Sequence, residues 1–455
     1  MSSITCYGGV GEIGGNKVLV EDSGTRIFLD FGQSFTHLDD YFVEYLQPRL
    51  RFGLRDYFAL DLMPKLKGLY NSWAVDKTDI DHCGPQYHAV FLSHPHYDHI
   101  AHIRYLDQRI PIYMGETART ILRSVNDTGR AQWFYEKDGV ARDGSVIPAN
   151  DVRIFRTGES IDTGSIEVLP VHVDHSVPGA YGFVVNTGSG AVAYTGDIRR
   201  HGNRPEMTRD FIDRAKQAGP KVLVVEGTRV APEEKRKDFS EAEVHEKGKE
   251  IVESNGFVMA MRYPKDLDRF RTFYQIAKET GRKLVISLKT AHMLQALRED
   301  KALALPQPFE DSSLEVYKRE MKVYKVWEVP MLDKCVDYKW VKQNQDSIIW
   351  EQDFYTLTEL IDVKPGKGAC IHSMSEPFEE DPMSQLQDEI LQNWLGRFGI
   401  GHHQLHASGH ASMDEIFEIV EEIGADKVVP VHTQHPELFT MENAVKTEAG
   451  KPIEV

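Results

Sequence analysis

The sequence has few cysteines, and none of them forms a metal-binding or disulfide pattern. Four occur in 455 residues, far apart and without a CxxC pair: Cys6, Cys83, Cys335 and Cys370. Scattered thiols of this kind are typical of a reducing compartment, so we expect reduced cysteines in a cytoplasmic protein. Any metal ion would therefore have to be held by histidine and carboxylate side chains.

Long apolar segments are missing as well. No window approaches about eighteen consecutive apolar residues, so we expect no transmembrane helix and no membrane partner. Residues 1–6 contain no basic stretch followed by an apolar run, which predicts no signal peptide. A chain of 455 residues exceeds what one compact core usually holds, so we expect two domains.

Basic residues are too few for a protein that coats nucleic acid. Lysine and arginine number 53 against 70 acidic residues, which gives a formal net charge of −17. Sequence-independent binding to nucleic acid depends on neutralising phosphates with basic side chains. The composition argues against broad coating of a duplex and leaves open an enzyme that grips a few phosphates in a narrow groove.

Five short apolar runs each end in a polar residue of the metal-ligand type. They cover residues 89–92, 166–171, 191–194, 222–225 and 428–431. Buried strands that deliver polar residues at their ends are typical of a layered α/β sandwich with an active site along one edge. The glycine-rich stretch 8–15 precedes a strand pattern, so it predicts a tight turn under that site and not a dinucleotide-binding loop.

The middle of the chain has a different pattern. Helix patterns at 240–254 and 267–280 alternate with strand patterns at 257–260 and 283–287. This alternation predicts a small parallel sheet with crossover helices. Histidine clusters of metal type are missing from this part and resume after it. We therefore predict that an inserted domain, 229–391, interrupts a domain formed by residues 1–228 and 392–455.

The segment His94-Pro95-His96-Tyr97-Asp98-His99 is the strongest functional signal. Four metal-ligand side chains occur in six residues, directly after a buried strand. In an extended turn, residues i and i+2 point the same way, so His94 and His96 can share one ion. Asp98 and His99 then lie one turn further on, at a neighbouring ion. The alternative, a solvated histidine-rich loop, leaves the buried strand before it unexplained.

Two ions need more ligands than this segment offers, and other strand ends supply them. Either His172 or His175 fits; we prefer His175, beside the turn, and expect His172 to be a surface histidine. Asp197 follows the strand 191–194 on a sharp turn, where a carboxylate is suited to bridge two cations. Taken alone, Asp197 would be interpreted as an ordinary turn residue.

A second group of histidines lies near the end of the chain. Six of the nineteen histidines fall between 402 and 435: His402, His403, His406, His410, His432 and His435. The turn 406–410 contains Ser408 and Gly409, and backbone N–H groups of such turns can hold a phosphate. An amphipathic helix pattern follows at 414–423. We expect His402 and His403 to be solvated loop residues.

Together these residues resemble the metallo-β-lactamase superfamily. Its motifs two to four are matched by His94, His96, Asp98 and His99, by His175 and by Asp197. Motifs A, B and C of its β-CASP branch, which contains nucleic-acid phosphodiesterases, are matched by Glu226, His410 and His432. Within that branch the opening glycine turn and the 406–410 turn resemble the ribonuclease J group. The short segment after His432 is similar to its archaeal-type members.

The resemblance implies an αββα sandwich with an inserted β-CASP domain and two zinc ions per chain, with Mn²⁺ as the alternative ion. One zinc would be held by His94, His96 and His175, the other by Asp98, His99 and His432, with Asp197 bridging. Asp98 also counts among the catalytic residues. Hydrolysis with two metals would release products with a 5′-phosphate.

His410 lies outside both metal shells in this assignment. It is the candidate to stabilise or protonate the leaving 3′-oxygen, and Glu226 would hold its tautomer. An enzyme working from the 5′ end needs a terminal-phosphate pocket, for which the candidates are His406, Ser408 and Ser240. For Ser240 the alternative is a helix N-cap before Glu243.

The function implied is a zinc-dependent ribonuclease, a 5′→3′ exonuclease with endonuclease action as a second activity. Its partners would be single-stranded RNA with a 5′-monophosphate and a second copy of the chain in a homodimer. Three alternatives stay open: a DNA-directed nuclease of the same branch, a hydrolase of a small ester or thioester, and a non-catalytic scaffold. A scaffold would be expected to lack some ligands, and every expected ligand is present in the sequence.

Overall fold

The computed structural model describes residues 1–43, 45–129, 133–140, 146–233, 239–377 and 381–455. The strands are β1 Ser3–Cys6, β2 Val18–Asp22, β3 Thr25–Leu29, β4 Ala89–Leu92, β5 Ile112–Gly115, β6 Gly139–Val140, β7 Val146–Ile147, β8 Val152–Phe155, β9 Ile161–Asp162, β10 Glu167–His172, β11 Tyr181–Thr187, β12 Gly190–Tyr194, β13 Val222–Glu226, β14 Phe257–Arg262, β15 Lys283–Ser287, β16 Leu314–Tyr317, β17 Ile348–Gln352, β18 Gly368–Ser373, β19 Ile400–Gln404, β20 Lys427–Val431 and β21 Pro452–Glu454.

The helices are α1 Thr36–Asp39, α2 Arg55–Ala59, α3 Ser72–Val75, α4 Tyr97–Ile100, α5 Glu116–Thr128, α6 Pro205–Ala218, α7 Glu241–Ser254, α8 Leu267–Glu279, α9 Leu288–Ala296, α10 Tyr338–Gln343, α11 Leu360–Val363, α12 Pro382–Phe398 and α13 Met413–Ile423. Short 3₁₀ helices cover Leu50–Phe52, Ile103–Tyr105, Leu297–Glu299, Val329–Lys334, Gln345–Ser347, Phe354–Glu359 and Pro436–Leu438. Among the described residues, no helix is both long and apolar enough to span a bilayer.

Two mixed sheets form a sandwich. The first has the strand order β21-β1-β2-β3-β4-β5-β8, and the second has the order β20-β13-β12-β11-β10-β9. In the first sheet β3, β4, β5 and β8 run parallel; in the second β12, β13 and β20 do. The predicted strands at 89–92, 191–194, 222–225 and 428–431 are thus confirmed to within a residue.

Alternation along the strands explains why both sheets are covered on two faces. Ala89 and Phe91 of β4 pack in the core between the sheets, whereas Val90 and Leu92 point to the outer side. Val222 and Val224 of β13 likewise face inward, and their neighbours Leu223 and Val225 face outward. This period of two is what a strand buried on both faces requires.

Helices cover the two outer faces of the sandwich. Buried side chains of α2, α3 and α5 pack on the first sheet, and those of α6 and α13 pack on the second. The layers are therefore helix, sheet, sheet and helix, an αββα sandwich as the resemblance implies.

A third sheet belongs to the inserted part of the chain. Its order is β16-β15-β17-β14-β18-β19, and all its paired strands are parallel. Along β14, Val258 and Ala260 pack toward α7, α8 and α9, while Phe257, Met259 and Met261 pack toward the side of α10, α11 and α12. The parallel sheet with crossover helices that the sequence predicts is present.

Strand pairing carries this third sheet past residue 391, the predicted end of the inserted domain. The last strand, β19, pairs with β18 from Gly368↔Ile400 to His372↔Gln404. We therefore propose that the chain returns to the sandwich after Gln404. Because His402 and His403 lie within β19, the expectation that they are loop residues is wrong.

Candidate metal centre

The candidate ligands lie where strands of both sheets end. His94 follows β4, Asp197 follows β12 and His432 follows β20. Since β12, β13 and β20 are parallel, their carboxyl ends lie at one edge of the second sheet. His96 is the N-cap residue of α4, so this short helix places Asp98 and His99 beside the strand ends.

The glycine-rich turn before β2 lies directly under these ligands. The Gly9 carbonyl accepts a hydrogen bond from the His432 N–H at 2.7 Å. A Cβ on Gly14, whose φ is +79°, would lie 2.7 Å from the Cβ of Asp98. A larger residue would displace Asp98, so glycine is required here. The predicted turn beneath the site is confirmed.

Three histidines meet in the first cluster. Nδ1 of His96 lies 3.1 Å from Nε2 of His94 and 3.0 Å from Nε2 of His175. Oδ2 of Asp197 lies 3.3 Å from Nε2 of His94. One ligand atom from each of these four residues falls within 4.8 Å of the others. This is the grouping predicted for one metal ion.

The second cluster shares Asp197 with the first. Nε2 of His99 lies 3.4 Å from Oδ2 of Asp98 and 3.2 Å from Oδ2 of Asp197. Nε2 of His432 lies 2.8 Å from Oδ2 of Asp98. These four residues also offer ligand atoms within 4.8 Å of one another. Asp197 thus stands between two groups of ligands, where a bridging carboxylate is expected.

Unpaired polar atoms show that the residues fit a pair of divalent cations. Both carboxylate oxygens of Asp197 and Nε2 of His99 are buried without a hydrogen-bond partner. Burying an unpaired charge is costly, and buried charges are normally paired or coordinate metals. Imidazole and carboxylate without thiolate suit zinc and also manganese. The clusters therefore meet the requirements of the metal that the sequence predicts.

Hydrogen bonds on the far nitrogen orient the ligand imidazoles. They join His94 Nδ1 to Ser93 Oγ at 2.9 Å, His99 Nδ1 to Asp30 Oδ2 at 2.8 Å, His175 Nδ1 to the Gly409 carbonyl at 2.5 Å and His432 Nδ1 to Thr228 Oγ1 at 2.8 Å. With Nδ1 engaged in this way, Nε2 faces the cluster, which is the usual arrangement around metal-ligating histidines.

The charges and burial around the two clusters shift the pKa values of the candidate ligands. Burial lowers the pKa of His96 well below its ordinary value, which keeps this imidazole in the neutral form that binds metal. Burial opposes the charge of His432 too, but Asp197 and Asp98 outweigh it and raise its pKa to about 9. Burial also works against the charge of Asp197, yet the neighbouring histidines hold its pKa well below the usual range. The Asp197 carboxylate is therefore anionic.

His410 and Glu226 form a third group beside Asp197. Nδ1 of His410 lies 2.9 Å from Oε2 of Glu226 and 3.8 Å from Oδ2 of Asp197. Glu226 is fixed in turn, because its Oε1 accepts from the Ile198 N–H at 2.7 Å. Burial opposes the charge of His410, but Glu226 outweighs it, so the pKa of His410 is raised. The imidazole therefore has Nε2 free of Glu226 and can carry a proton there.

The predicted phosphate candidates fall into two places. Ser408 lies on the turn before His410, and its Oγ accepts from the His410 N–H at 3.1 Å. His406 contacts the Ser373 carbonyl at 3.2 Å; burial and then Arg269 lower its pKa to about 3. Ser240 is the N-cap of α7 and forms a capping box with Glu243, so the helix-cap interpretation is confirmed. The phosphate roles of these residues stay predictions.

His172 is not the free surface side chain that we expected. It lies opposite Tyr181 in the ladder of β10 and β11, and the two rings stack at 4.2 Å. Burial lowers its pKa to about 4. The preferred residue of the pair, His175, is the one that the fold brings to the first cluster.

Several contacts behind the ligands were missed in the sequence. Asp30 accepts from His99, from Ser93 Oγ at 2.7 Å and from Tyr194 Oη at 2.6 Å. Thr228 accepts from His432 and donates to Glu226 Oε2 at 2.7 Å. One signal was available for Asp30, since it is a carboxylate directly after β3, the same pattern that marked Asp197.

Two family models match segments of the chain that carry the candidate ligands. Residues 73–254 match a "Beta-lactamase superfamily domain", and residues 401–455 match a "Zn-dependent metallo-hydrolase RNA specificity domain". A crystal structure titled as a protein of unknown function from Enterococcus faecalis V583 shares the fold, with a TM-score of 0.79 and 24% identity over 100% of both chains.

Curated relatives match over most of the length. Ribonuclease J of Pyrococcus abyssi is 24% identical over 453 residues, which cover 95% of this chain and 90% of the relative. Ribonuclease J of Mycoplasma pneumoniae is 22% identical over a match that covers 99% of this chain and 70% of that relative.

The sandwich, its metal-type clusters and the matching family models together indicate a metal-dependent hydrolase with the metallo-β-lactamase fold. The inserted parallel sheet and the matches along nearly the whole chain indicate a particular group of such hydrolases. Over nearly its whole length the chain is ribonuclease J-like, similar to the group that the sequence resembles within the β-CASP branch.

Proposed function

We propose that this chain is a two-zinc ribonuclease that degrades single-stranded RNA from its 5′ end and leaves 5′-phosphate products. The observation that carries the proposal is the position of Asp197, which is shared by two ligand clusters and adjoins the His410–Glu226 pair. Ribonuclease J relatives and the RNA specificity domain support RNA as the substrate.

The metal ligands in this proposal are the residues of the two clusters. One ion would be held by His94, His96 and His175, the other by Asp98, His99 and His432, and Asp197 would contribute to both. Divalent cations bound there would supply Lewis acidity, polarising the scissile phosphate and making water a stronger nucleophile.

The chain's own proton donor is His410. Its Nδ1 donates to Glu226, which fixes the tautomer and stabilises the imidazolium form. Nε2 then delivers a proton to the leaving 3′-oxygen as the phosphodiester bond breaks. Thr228 joins this arrangement to the second cluster, because its hydroxyl accepts from His432 and donates to Glu226.

An aromatic pair at the edge of the clusters supports a substrate with nucleobases. Phe35 is 44% exposed, and its ring stacks on Tyr97 with a centroid distance of 6.3 Å and an interplanar angle of 19°. A Cβ on Gly14 would touch both Phe35 and Asp98, so this ring borders a predicted ligand. Exposed aromatic faces are the usual stacking platforms for single-stranded nucleic acid.

The direction of attack and the end preference rest on the turn that carries Ser408 and His406. These side chains are the proposed pocket for a 5′-monophosphate, with Ser240 a further candidate. Endonuclease cleavage as a second activity, a homodimer and a cytoplasmic location complete the proposal.

Digestion of one short RNA with different ends tests the proposal. We expect mononucleotides from 5′-monophosphorylated RNA, far fewer from the 5′-triphosphorylated form and none from matched DNA. If all RNA forms instead give fragments of intermediate length, the enzyme acts as an endonuclease and not as an exonuclease. Equal degradation of the DNA, or an intact RNA in the presence of zinc or manganese, would refute the ribonuclease assignment.

A further inference from the structure

Two completely buried arginines connect the inserted domain to the metal centre. Arg199 lies two residues after Asp197, and Arg269 lies in α8 of the inserted domain; neither is exposed. Glu241, the first residue of α7, lies between them. Its Oε1 is 3.3 Å from Nη1 of Arg199 and 2.9 Å from Nη2 of Arg269. One carboxylate of the inserted domain thus pairs with both guanidinium groups.

Further acidic side chains complete the pairing of Arg199. Its Nε lies 3.3 Å from Asp174 of the sandwich, and its Nη2 lies 3.1 Å from Asp268 of the inserted domain. Asp174 directly precedes His175. Arg199 is therefore linked to two predicted ligands: to Asp197 through the chain, and to His175 through its contact with Asp174.

Both arginines also donate to the backbone of the turn that leads to His410. Nη1 of Arg199 donates to the Ser408 carbonyl at 3.0 Å, and Nη2 of Arg269 donates to the Ala407 carbonyl at 3.3 Å. The next carbonyl, that of Gly409, accepts from Nδ1 of His175. Three successive carbonyls are thus fixed, two by arginines and one by a predicted zinc ligand.

This turn has little freedom to move on its own. Ala407 packs in the core of the inserted domain, and a Cβ on Gly409 would lie 2.9 Å from the His175 ring. A small shift of the Ser408 or Gly409 backbone would therefore rotate the His175 imidazole. It would also displace His410, the next residue along the chain.

The inserted domain touches the first histidine segment as well. Nζ of Lys265 donates to the Pro95 carbonyl at 2.6 Å, between His94 and His96. The inserted domain therefore contacts the metal centre from two directions.

Burial of so many charges needs a reason beyond holding two domains together. Apolar side chains of similar volume often stabilise a buried site as well as an ion pair does, because charges lose their hydration on burial. A guanidinium offers what apolar groups lack, namely a planar set of donors that fixes its acceptors in defined directions. Here those acceptors are the carbonyls next to His410 and His175.

We infer that Glu241, Arg199 and Arg269 are positioning residues, through which the inserted domain sets the orientation of His175 and His410. The kinetic part of this inference rests on the proposed function. The metal-binding part does not depend on the substrate.

The test compares Arg269→Lys and Glu241→Gln with the matched variant Arg282→Lys. Arg282 lies in the same domain and also donates to backbone carbonyls, those of Val252 at 2.7 Å and Gly256 at 2.9 Å. It precedes β15, at the amino ends of the parallel strands, whereas Arg269 donates to the carbonyl of Ser373, the last residue of β18. A purely structural role predicts that each variant loses thermal stability to some degree, with no change in zinc affinity or in the cobalt spectrum.

The readouts are zinc affinity measured by chelator competition, the visible absorption of the cobalt-substituted protein, and kcat and KM on RNA. For Arg269→Lys and Glu241→Gln we expect zinc affinity about tenfold weaker or more, an altered cobalt spectrum, and kcat about tenfold lower with KM changed less than about twofold. Arg282→Lys should keep the zinc affinity, cobalt spectrum and kcat of the unmodified protein.

The inference is overturned if a folded Arg269→Lys or Glu241→Gln keeps the original zinc affinity and cobalt spectrum, or if Arg282→Lys changes them equally. Should one of the two variants fail to fold, the other decides. Failure of the proposed function looks different. In that case the unmodified protein cleaves no RNA, while the zinc and cobalt measurements still test the positioning role.

Discussion

Nε2 of His432 lies 2.8 Å from Oδ2 of Asp98, although 334 residues separate the two in the sequence. The inserted domain accounts for much of that separation, and β20, which follows it in the sequence, pairs with β13 of the sandwich. His432 adopts a φ of +54°, a left-handed conformation that a non-glycine residue seldom takes. This backbone conformation directs the imidazole toward Asp98 and ties the second cluster to the end of the chain.

The first prediction concerns His432. Replacement by alanine removes one side chain of the second cluster and leaves the first cluster complete, so we expect the loss of roughly one zinc ion per chain. Metal analysis of the purified variant measures this. His435→Ala is the matched control, since this nearby histidine pairs with Glu437 at 3.0 Å and stands apart from both clusters. Two zinc ions retained in His432→Ala would contradict the ligand assignment.

The strands and the local histidine segment were predictable because their signals are short-range. Apolar runs such as 89–92 and 222–225 are buried on both faces, and each ends in a residue of the site. The 94–99 segment needs only one turn of chain to present its side chains. The layered fold and the candidate ligands within 94–99 could therefore be anticipated from residues close together in the sequence.

Features that depend on distant packing were missed or misplaced. His402 and His403 follow a glycine and precede a polar turn, which favours a loop; pairing with β18 makes them part of a strand. The same pairing moves the end of the inserted sheet past residue 391. No sequence pattern marked Arg199, because its role depends on contacts with Glu241 and Ser408, which are distant in the sequence and meet it only in the folded chain.

The second prediction separates catalysis from metal binding. In His410→Ala we expect kcat to fall about 10²- to 10⁴-fold, because the proton donor for the leaving oxygen is lost. The zinc content should stay unchanged, since His410 pairs with Glu226 and lies outside both predicted shells. Single-turnover cleavage and metal analysis on the same sample provide the measurement. A zinc-depleted His410→Ala protein would instead make His410 a ligand.

The third prediction concerns removal of the metal. Chelation leaves both oxygens of Asp197 buried without a hydrogen-bond partner, so we expect loss of cleavage and a lower unfolding temperature. Ligand present at about one hundred times its dissociation constant contributes roughly 2.7 kcal/mol, which corresponds to a shift of several degrees. Calorimetry with and without chelator measures the shift, and added zinc or manganese should restore both properties. Equal unfolding temperatures with and without metal would mean that the clusters hold no stabilising ion.

The fourth prediction concerns the aromatic pair at the edge of the site. Stacking of a base on an aromatic side chain contributes about 1–3 kcal/mol, so Phe35→Ala should raise KM for RNA about tenfold or more while kcat changes little. Phe35→Tyr keeps a flat ring and should retain the original KM. Since Phe35 borders Asp98, zinc content must be measured in both variants to show that the clusters are intact. Quenching of a fluorescent base analogue near the 5′ end of a bound RNA, in metal-free protein, reports the stacking directly. If quenching is the same in Phe35→Ala as in the unmodified protein, the exposed ring plays no part in holding the substrate, and single-stranded RNA must bind to other residues of the protein.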